Sequence, residues 1–386
     1  MAAPAPSAAV PIVAVPPPTA VTGLALKDFR NYGRAHIEAG PGLVVLYGPN
    51  GSGKTNLLEA LSLLAPGRGL RRAALAEIDR DGGAPWRLEA VVDANGERVE
   101  VETGRDPDAE RRFVRLFGEP ARGQGALART LGVVWLVPSM DRLFQEGAAA
   151  RRRFLDRLAL AVFPDHATTA GAYEKGLRER AVLLRTGRRD PAWLGALERR
   201  MAENAVAVAA ARRELVNGLN RLLLDGFGAL PRVVLTLEGE VEAMLDAMSA
   251  LDAEGAIRDR WRWLRDADAV TGGSGLGVHR SDLVVADAVS GELAARCSTG
   301  RQKAMLLAVT LAEARLRQAR LGDLPILLLD EVAAHLDGER RERLCATLVD
   351  LGAQAWLTGT DPELFAALHG RARFLAVEEG RLHEHD

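Results

Sequence analysis

One short loop motif constrains the fold of this chain more than any other feature of its 386 residues. Gly48, Gly53, Lys54 and Thr55 match the pattern G-x-x-x-x-G-K-[ST]. An apolar run rich in β-branched residues, GLVVLY, precedes the loop, and a stretch with helical spacing, LLEALSLLAPG, follows it. A strand, a glycine-rich loop and a helix in this order predict a P-loop within an α/β domain.

The residue types of the loop predict how it holds a nucleotide. Glycines allow successive backbone N–H groups to face the phosphates, and the next helix adds the positive end of its dipole. Lys54 is expected to reach the β- and γ-phosphates, and the hydroxyl of Thr55 is expected to ligate Mg²⁺. The predicted nucleotide-binding residues of the loop are Gly48, Pro49, Asn50, Gly51, Ser52, Gly53, Lys54, Thr55 and Asn56.

A second run supplies the acidic residues that such a site needs. Residues 326–329 form a continuous apolar run, typical of a central parallel strand, and Asp330 and Glu331 end it. Asp330 is predicted to bind Mg²⁺ together with Thr55, directly or through water. Glu331 is predicted to act as the general base that polarises the attacking water. Glu331 and Lys54 are therefore the predicted catalytic residues.

The texture of the chain changes along its length. Residues 1–20 are rich in proline and alanine, lack a basic n-region, and are predicted to be a disordered tail. Strand and helix patterns alternate in residues 21–140 and 275–386, whereas residues 141–274 are rich in alanine, leucine and arginine with helical periodicity. The sequence predicts one discontinuous α/β domain with a mainly helical inserted domain.

Composition narrows the possible classes of function. Hydrophobic residues make up 48% of the chain, yet no apolar run approaches the roughly 20 residues of a membrane span. The formal net charge is −2, so any basic surface must be local. The two cysteines, Cys297 and Cys345, suggest neither a disulfide framework nor a zinc site. We expect a cytoplasmic protein with free thiols and no membrane partner.

A third element carries a resemblance to a known family. The run CSTGRQKAMLLAVTLAEA has a Ser-Thr-Gly turn at 298–300, and the N-terminus of its long helix can receive an anion. The order of phosphate loop, insertion, Ser-x-Gly helix start, apolar strand with Asp-Glu, and AHLD resembles the ABC-type ATPases. The resemblance implies a P-loop ABC-type ATPase head, with a mixed sheet flanked by helices, that forms a homodimer on ATP. Ser298 and Gly300 of one head would cap the γ-phosphate held by the other, and Asp337 would lie in the D-loop at the interface.

The match narrows to the RecF family of bacterial recombination-repair proteins. Seven motifs resemble that family in the same order: LALKDFRNY, GPNGSGKTNLLEAL with GRGLRR, RRRFLDRLAL, GVHRSDL, STGRQKAMLLAVTLA, PILLLDEVAAHLDGERRERL and TGTD. The family's architecture places Arg30 and Asn31 of FRNY near the nucleotide. It commonly has glutamine where this chain has Arg301.

The resemblance implies an ATP-dependent DNA-binding protein of recombinational repair and replication restart. Such proteins bind duplex DNA and single-stranded gap junctions, hydrolyse ATP slowly with stimulation by DNA, and direct RecA loading with RecR and RecO. ATP and Mg²⁺ are the implied cofactors, and hydrolysis acts as a conformational switch. Two basic runs supply candidates for contacts to DNA phosphates, namely Arg68, Arg71, Arg72, Arg151, Arg152 and Arg153.

Three other functions share parts of this pattern. A transporter ATPase subunit predicts a shorter arm between phosphate loop and signature, and a switch histidine where this chain has TGTD. A chromosome-organising SMC-type head predicts a long heptad array in the insertion, which is absent from this sequence. A DNA-binding scaffold that holds ATP without hydrolysing it is the non-enzymatic alternative, and Glu331 argues against it.

Overall fold

The structure is a computed structural model that describes residues 18–94, 96–109, 111–121, 125–187, 190–334 and 336–384. Most of the predicted tail, residues 1–17, lies outside the described residues, and Ala20 already begins the first strand. The strands are β1 (Ala20–Phe29), β2 (Tyr32–Glu38), β3 (Leu43–Tyr47), β4 (Arg87–Ala94), β5 (Glu97–Asp106), β6 (Arg111–Leu116), β7 (Glu119–Pro120), β8 (Val133–Leu136), β9 (Val233–Glu238), β10 (Asp282–Asp287), β11 (Ile326–Leu329), β12 (Ala355–Gly359), β13 (Ala372–Glu378) and β14 (Arg381–Glu384).

The helices follow the periodic stretches of the sequence. The helices are α1 (Lys54–Ser62), α2 (Gly125–Thr130), α3 (Ala148–Val162), α4 (His166–Arg185), α5 (Pro191–Asp225), α6 (Glu240–Ala247), α7 (Ala250–Thr271), α8 (Thr299–Leu321) and α9 (Gly338–Leu351). Within the ranges that the structure describes, no helix combines the length and apolarity needed to cross a bilayer.

A six-stranded mixed sheet, in the order β14-β13-β3-β12-β11-β8, carries the phosphate loop. Its strands are parallel except for β14, which pairs antiparallel with β13. All four residues of β11 are buried, as the apolar run predicts. Because the carboxyl ends of parallel strands meet at one edge of a sheet, the loop after β3, Asp330 after β11 and the end of β12 come together there.

A second sheet packs beside the first. It is antiparallel, in the order β2-β1-β4-β5-β6-β7. Its inner face shares a hydrophobic cluster with α1 and one face of the central sheet, in which Phe29 meets Trp86 edge-on at 5.8 Å between ring centroids. This packing fixes the β1–β2 turn against the start of α1. The predicted α/β architecture, with a mixed sheet flanked by helices, is confirmed.

The helical segment belongs to two hydrophobic clusters. The first half of α5 packs with α4, α6 and α7 around Trp261. In contrast, α3 packs through Phe154 and Leu158 into the cluster of α8 and the central sheet, and the last turns of α5 join it through Leu219. The helical segment is therefore anchored in the α/β core through α3 and the last turns of α5, whereas α7 at its C-terminal end packs in the separate helical cluster. The predicted boundary at residue 140 between the α/β domain and the helical domain stays a prediction.

Candidate nucleotide-binding site

The phosphate loop after β3 is clamped from outside by the β1–β2 turn. Asn31 Nδ2 donates to the Ser52 carbonyl oxygen at 3.0 Å, and the Tyr32 hydroxyl donates to the Gly53 carbonyl oxygen at 3.1 Å. Gly53 has φ 118°, and a Cβ there would lie 2.6 Å from Asn31 Nδ2. Only glycine combines this backbone conformation with so close an approach. The clamp therefore explains the second glycine of the motif.

Lys54 begins α1 and folds back over the loop. Its Nζ donates to the carbonyl oxygens of Gly48 at 2.7 Å and Pro49 at 2.8 Å. Burial lowers the pKa of its ammonium group, and the nearby carboxylates of Glu331 and Asp330 act in the opposite direction. The ammonium group therefore lies at the loop, where the phosphate oxygens of a nucleotide would compete with the two carbonyl groups for its hydrogen bonds.

The predicted metal ligands meet across the sheet edge. The Thr55 hydroxyl lies 3.1 and 3.2 Å from the two carboxylate oxygens of Asp330, and the Thr358 hydroxyl donates to Asp330 Oδ1 at 2.6 Å. Hydroxyl and carboxylate oxygens are ligands that Mg²⁺ accepts, with water and phosphate oxygens completing its octahedron. Ser52 Oγ in the loop is buried and has no hydrogen-bond partner among the described residues. These donors fit a Mg²⁺–nucleotide complex.

Glu331 is held through its backbone from two sides. Its N–H donates to Thr358 Oγ1 at 2.9 Å, and its carbonyl oxygen accepts from Lys303 Nζ at 2.9 Å. Its φ of 52° lies in the left-handed region, which a glutamate adopts at a cost of about 1 kcal/mol or more. Thr358 lies one residue before the end of the neighbouring strand β12, and Lys303 lies on α8, so contacts from two other elements fix the backbone of Glu331. Neither Thr358 nor Lys303 was among the residues that the sequence predicted.

Arg30 and Arg71 share one buried carboxylate beneath the loop. Glu59 on α1 is fully buried and accepts from Arg30 Nε at 2.8 Å, Arg30 Nη2 at 2.7 Å and Arg71 Nη1 at 2.8 Å. Asn56 joins them by accepting from Arg71 at 2.6 Å and donating to Asn31 at 2.7 Å. Arg30, Asn31 and Arg71 thus have structural partners, and their predicted ligand contacts stay predictions.

The predicted signature opens α8. Ser298 is the N-cap of this 23-residue helix, but its side chain makes no capping hydrogen bond. Ser298 and Gly300 line a cavity of about 380 Å³ beside α9. Asp337, the predicted D-loop residue, caps α9 by accepting from the Arg340 N–H at 2.9 Å. The positive end of α8 can therefore receive an anion from outside this chain.

Arg301 is tied to the strand that precedes the signature. The Asp287 carboxylate at the end of β10 accepts from Arg301 at 2.5 Å and from the backbone N–H groups of Ser290 at 2.8 Å and Val289 at 3.0 Å. The Ser290 hydrogen bond, reinforced by Arg301 and Val289 and opposed by burial, lowers the pKa of the Asp287 carboxyl to about 2. The carboxylate therefore stays ionised and fixes the turn before α8.

A double-mutant cycle tests this contact. The coupling between Asp287→Asn and Arg301→Gln in the free energy of unfolding is expected to be about 0.5–1 kcal/mol, the low end for touching residues, because the Arg301 side chain is 47% exposed. Urea unfolding of the four proteins measures it. Arg199, an exposed arginine on α5, gives a control cycle with Asp287 that should be additive. If the changes in the free energy of unfolding are additive in both cycles, the Arg301–Asp287 contact does not contribute to stability.

The six predicted DNA-contacting arginines divide into two groups. Arg71 binds Glu59, Arg151 forms a two-pronged ion pair with Asp282 at 2.6 and 2.7 Å, and Arg152 donates to the Ser281 carbonyl oxygen at 2.8 Å. The structure brings the other three together at one cavity, and these are Arg68, Arg72 and Arg153.

Proteins from other bacteria are similar in sequence to this chain over most of its length. The family model described as the RecF/RecN/SMC N terminal domain matches residues 20–381. The DNA replication and repair protein RecF of Mesorhizobium japonicum is 47% identical over 372 residues, which cover 95% of this chain and 98% of that protein. Its counterpart in Brucella suis is 44% identical over 375 residues, 95% of this chain and 97% of that protein.

Solved structures share the fold. The recombination mediator protein RecF-ATPrS in the RecFOR pathway superposes with a TM-score of 0.85 at 20% identity, over 96% of this chain and 100% of that chain. The Smc head domain with an extended coiled coil, from Pyrococcus furiosus, has a TM-score of 0.54 at 15% identity, over 94% of this chain and 95% of that chain. The predicted ATPase-head fold is confirmed by both. With close to half of its residues identical to those relatives, this chain belongs to the RecF family.

Proposed function

We propose that this chain is a cytoplasmic, ATP-dependent DNA-binding protein of recombinational repair and replication restart. The observation that carries the proposal is the convergence of the phosphate loop, Thr55, Asp330 and Glu331 at one edge of the central sheet. Relatives named DNA replication and repair protein RecF support the cellular process. Membership of the RecF family also motivates the proposal that the chain acts with RecR and RecO in directing RecA loading.

The residues of the site divide the work of ATP hydrolysis. The backbone of the loop and Lys54 hold the phosphates. Thr55 and Asp330 would hold Mg²⁺, which would supply positive charge to neutralise the phosphates. Glu331 accepts the proton of the attacking water. Thr358 and Lys303 hold the backbone that carries this carboxylate.

The signature of one chain acts on the nucleotide that a second copy of the chain holds. Ser298 and Gly300 at the positive end of α8 cap the γ-phosphate held by the partner, and Asp337 lies at the interface. ATP binding therefore favours a closed dimer on duplex DNA or a gap junction, and hydrolysis reopens it. The net charge of −2 leaves DNA binding to local basic surfaces, for which Arg68, Arg72 and Arg153 are candidates.

ATP hydrolysis measured against protein concentration tests this proposal. With sites completed in trans, the rate is expected to rise more than linearly with protein concentration and to increase when duplex DNA is added. A Lys54→Ala variant gives the background rate. A rate that is strictly proportional to protein concentration and does not change with DNA would contradict the proposed dimer that closes on DNA. ATP binding without any turnover would instead favour the scaffold function.

A further inference from the structure

A basic cavity lies away from the phosphate loop. It has a volume of about 360 Å³ and is formed by the segment after α1, the region around β8, and helices α3 and α4. Small-molecule sites start at roughly 300 Å³, so one small ligand fits it and a duplex does not. Five arginines line it, namely Arg68, Arg72, Arg153, Arg157 and Arg317.

Three of these arginines lie at the rim, and their charge is not paired with a carboxylate of the described residues. Arg68, Arg72 and Arg153 are exposed. Among the residues that the structure describes, none of the three has a hydrogen-bond or ion-pair partner. They come from segments about 80 residues apart in the chain, which the fold places around one opening. Three such guanidinium groups attract an anion more strongly than any one of them alone.

The acidic residue in the wall does not cancel this charge. Asp156 is the one carboxylate among the described lining residues. Arg212 already binds it at 2.8 and 2.9 Å, and His166 Nε2 lies 2.9 Å from it. Arg317 is paired with the buried Asp323 at 2.7 Å. The cavity therefore keeps a net positive charge from its remaining arginines.

The inner wall carries buried polar atoms that have no partner among the described residues. The Arg157 guanidinium stacks on the Trp135 ring at 4.8 Å and donates to the Trp135 carbonyl oxygen at 2.8 Å. Arg157 Nη2 and His166 Nδ1 are buried, and neither has a hydrogen-bond partner among the described residues. A buried polar atom without a partner is destabilising, so native proteins usually satisfy it with water or a ligand.

We propose that this cavity binds a phosphate monoester carried by a single nucleotide, either free or at the end of a DNA strand. A guanidinium group can donate two hydrogen bonds to one phosphate group. The apolar lining of the cavity, which includes Leu131, Val133 and Leu160, suits the sugar or base attached to that phosphate. The inference deepens the proposed DNA binding and rests on it for the strand-end source. Arg68, Arg72 and Arg153 then recognise a terminus and do not merely track a backbone.

Two kinds of variant separate the cavity from surface charge. The double variant Arg68→Gln/Arg153→Gln removes rim charge. Ala167→Phe, at an exposed lining position on α4, obstructs the cavity and keeps every arginine. Arg199→Gln on α5 removes an equal type of charge elsewhere and is the matched control. All substitutions are at exposed positions, so folding should persist.

Binding is measured with the ATP site saturated by a non-hydrolysable analogue. One arm titrates thymidine 5′-monophosphate against thymidine by calorimetry. A second arm compares short duplexes with phosphorylated and dephosphorylated ends, and a third uses closed circular duplex. A preference for the phosphorylated probe of about tenfold is expected from charge-assisted arginine bonds. It should disappear in both cavity variants and persist in Arg199→Gln.

The arms identify the source and can overturn the inference. Preference for the free monophosphate assigns a free nucleotide, and preference confined to duplex ends assigns a strand terminus. No phosphate preference in either arm overturns the inference, as does a preference that survives Ala167→Phe. If the wild-type protein fails to bind closed circular duplex, the proposed closing of the dimer on DNA is contradicted. The titration with thymidine 5′-monophosphate still tests separately whether the cavity binds a phosphate monoester.

Discussion

Replacing Glu331 with glutamine is expected to lower the rate of ATP hydrolysis by about 10²- to 10⁴-fold, the contribution of a positioned general base. The amide cannot accept the proton of the attacking water. Hydrogen bonds from Lys303 and to Thr358 hold only the backbone of Glu331, so glutamine should occupy the same place without disturbing the loop. Single-turnover hydrolysis measures the loss, and equilibrium ATP binding should be unchanged.

The same variant also tests the switch. If hydrolysis reopens the dimer, Glu331→Gln with ATP should accumulate as a dimer, which sedimentation measures. Glu342→Gln, an exposed position on α9, makes the same change of charge and should hydrolyse ATP at the wild-type rate. Full activity in Glu331→Gln would place the base elsewhere. Loss of ATP affinity together with activity would show that Glu331 is needed to build the site.

The parts of the site that the sequence predicts are those encoded locally. The loop at residues 48–55 needs its glycines next to a lysine and a threonine, and all of these are contiguous. Asp330 and Glu331 follow a fully apolar strand, and such a strand must be central in a parallel sheet. Local spacing therefore suffices to predict which residues are candidates for binding phosphate and metal.

Long-range pairing decides the rest. Thr358 touches Asp330 because β12 lies beside β11, and strand order cannot be read from the residues of either strand. The strand-end position of Thr358 was nevertheless a usable signal, since the ends of neighbouring parallel strands meet. The contact of Lys303 with Glu331 and the cavity that Arg72 and Arg153 share both depend on how helices pack on the sheet. The helical periodicity of a single sequence does not say which element each helix packs against.

Arg30 has a structural partner that the sequence analysis did not predict. The motif FRNY does lie against the phosphate loop, because Asn31 clamps it. The guanidinium of Arg30, however, binds Glu59, and the neighbours of Glu59 in sequence are the apolar residues Leu57, Leu58, Ala60 and Leu61. A buried carboxylate requires a cation, and two arginines supply it. The position of Glu59 in the apolar stretch after the loop was the signal that could have predicted this pairing.

Replacing Glu59 with alanine is accordingly expected to lower the free energy of unfolding by about 3 kcal/mol. The change leaves two guanidinium groups without their carboxylate. Their side chains are 19% and 38% exposed, so water recovers part of the loss and the effect falls at the low end for a broken buried pair. Urea unfolding measures it, and Glu203→Ala, an exposed glutamate on α5, is the helical control.

A paired variant separates the structural role of Arg30 from a role in binding ATP. Glu59→Leu/Arg30→Leu replaces the ion pair by apolar side chains, an exchange that is often neutral or stabilising, so it should recover much of the stability lost in Glu59→Ala. If Arg30 serves only to neutralise Glu59, ATP affinity recovers with stability. If stability returns and ATP affinity stays low, Arg30 also contacts the nucleotide, as the RecF pattern implies. If neither recovers, the charges themselves are required to hold Asn31 and Asn56 against the loop.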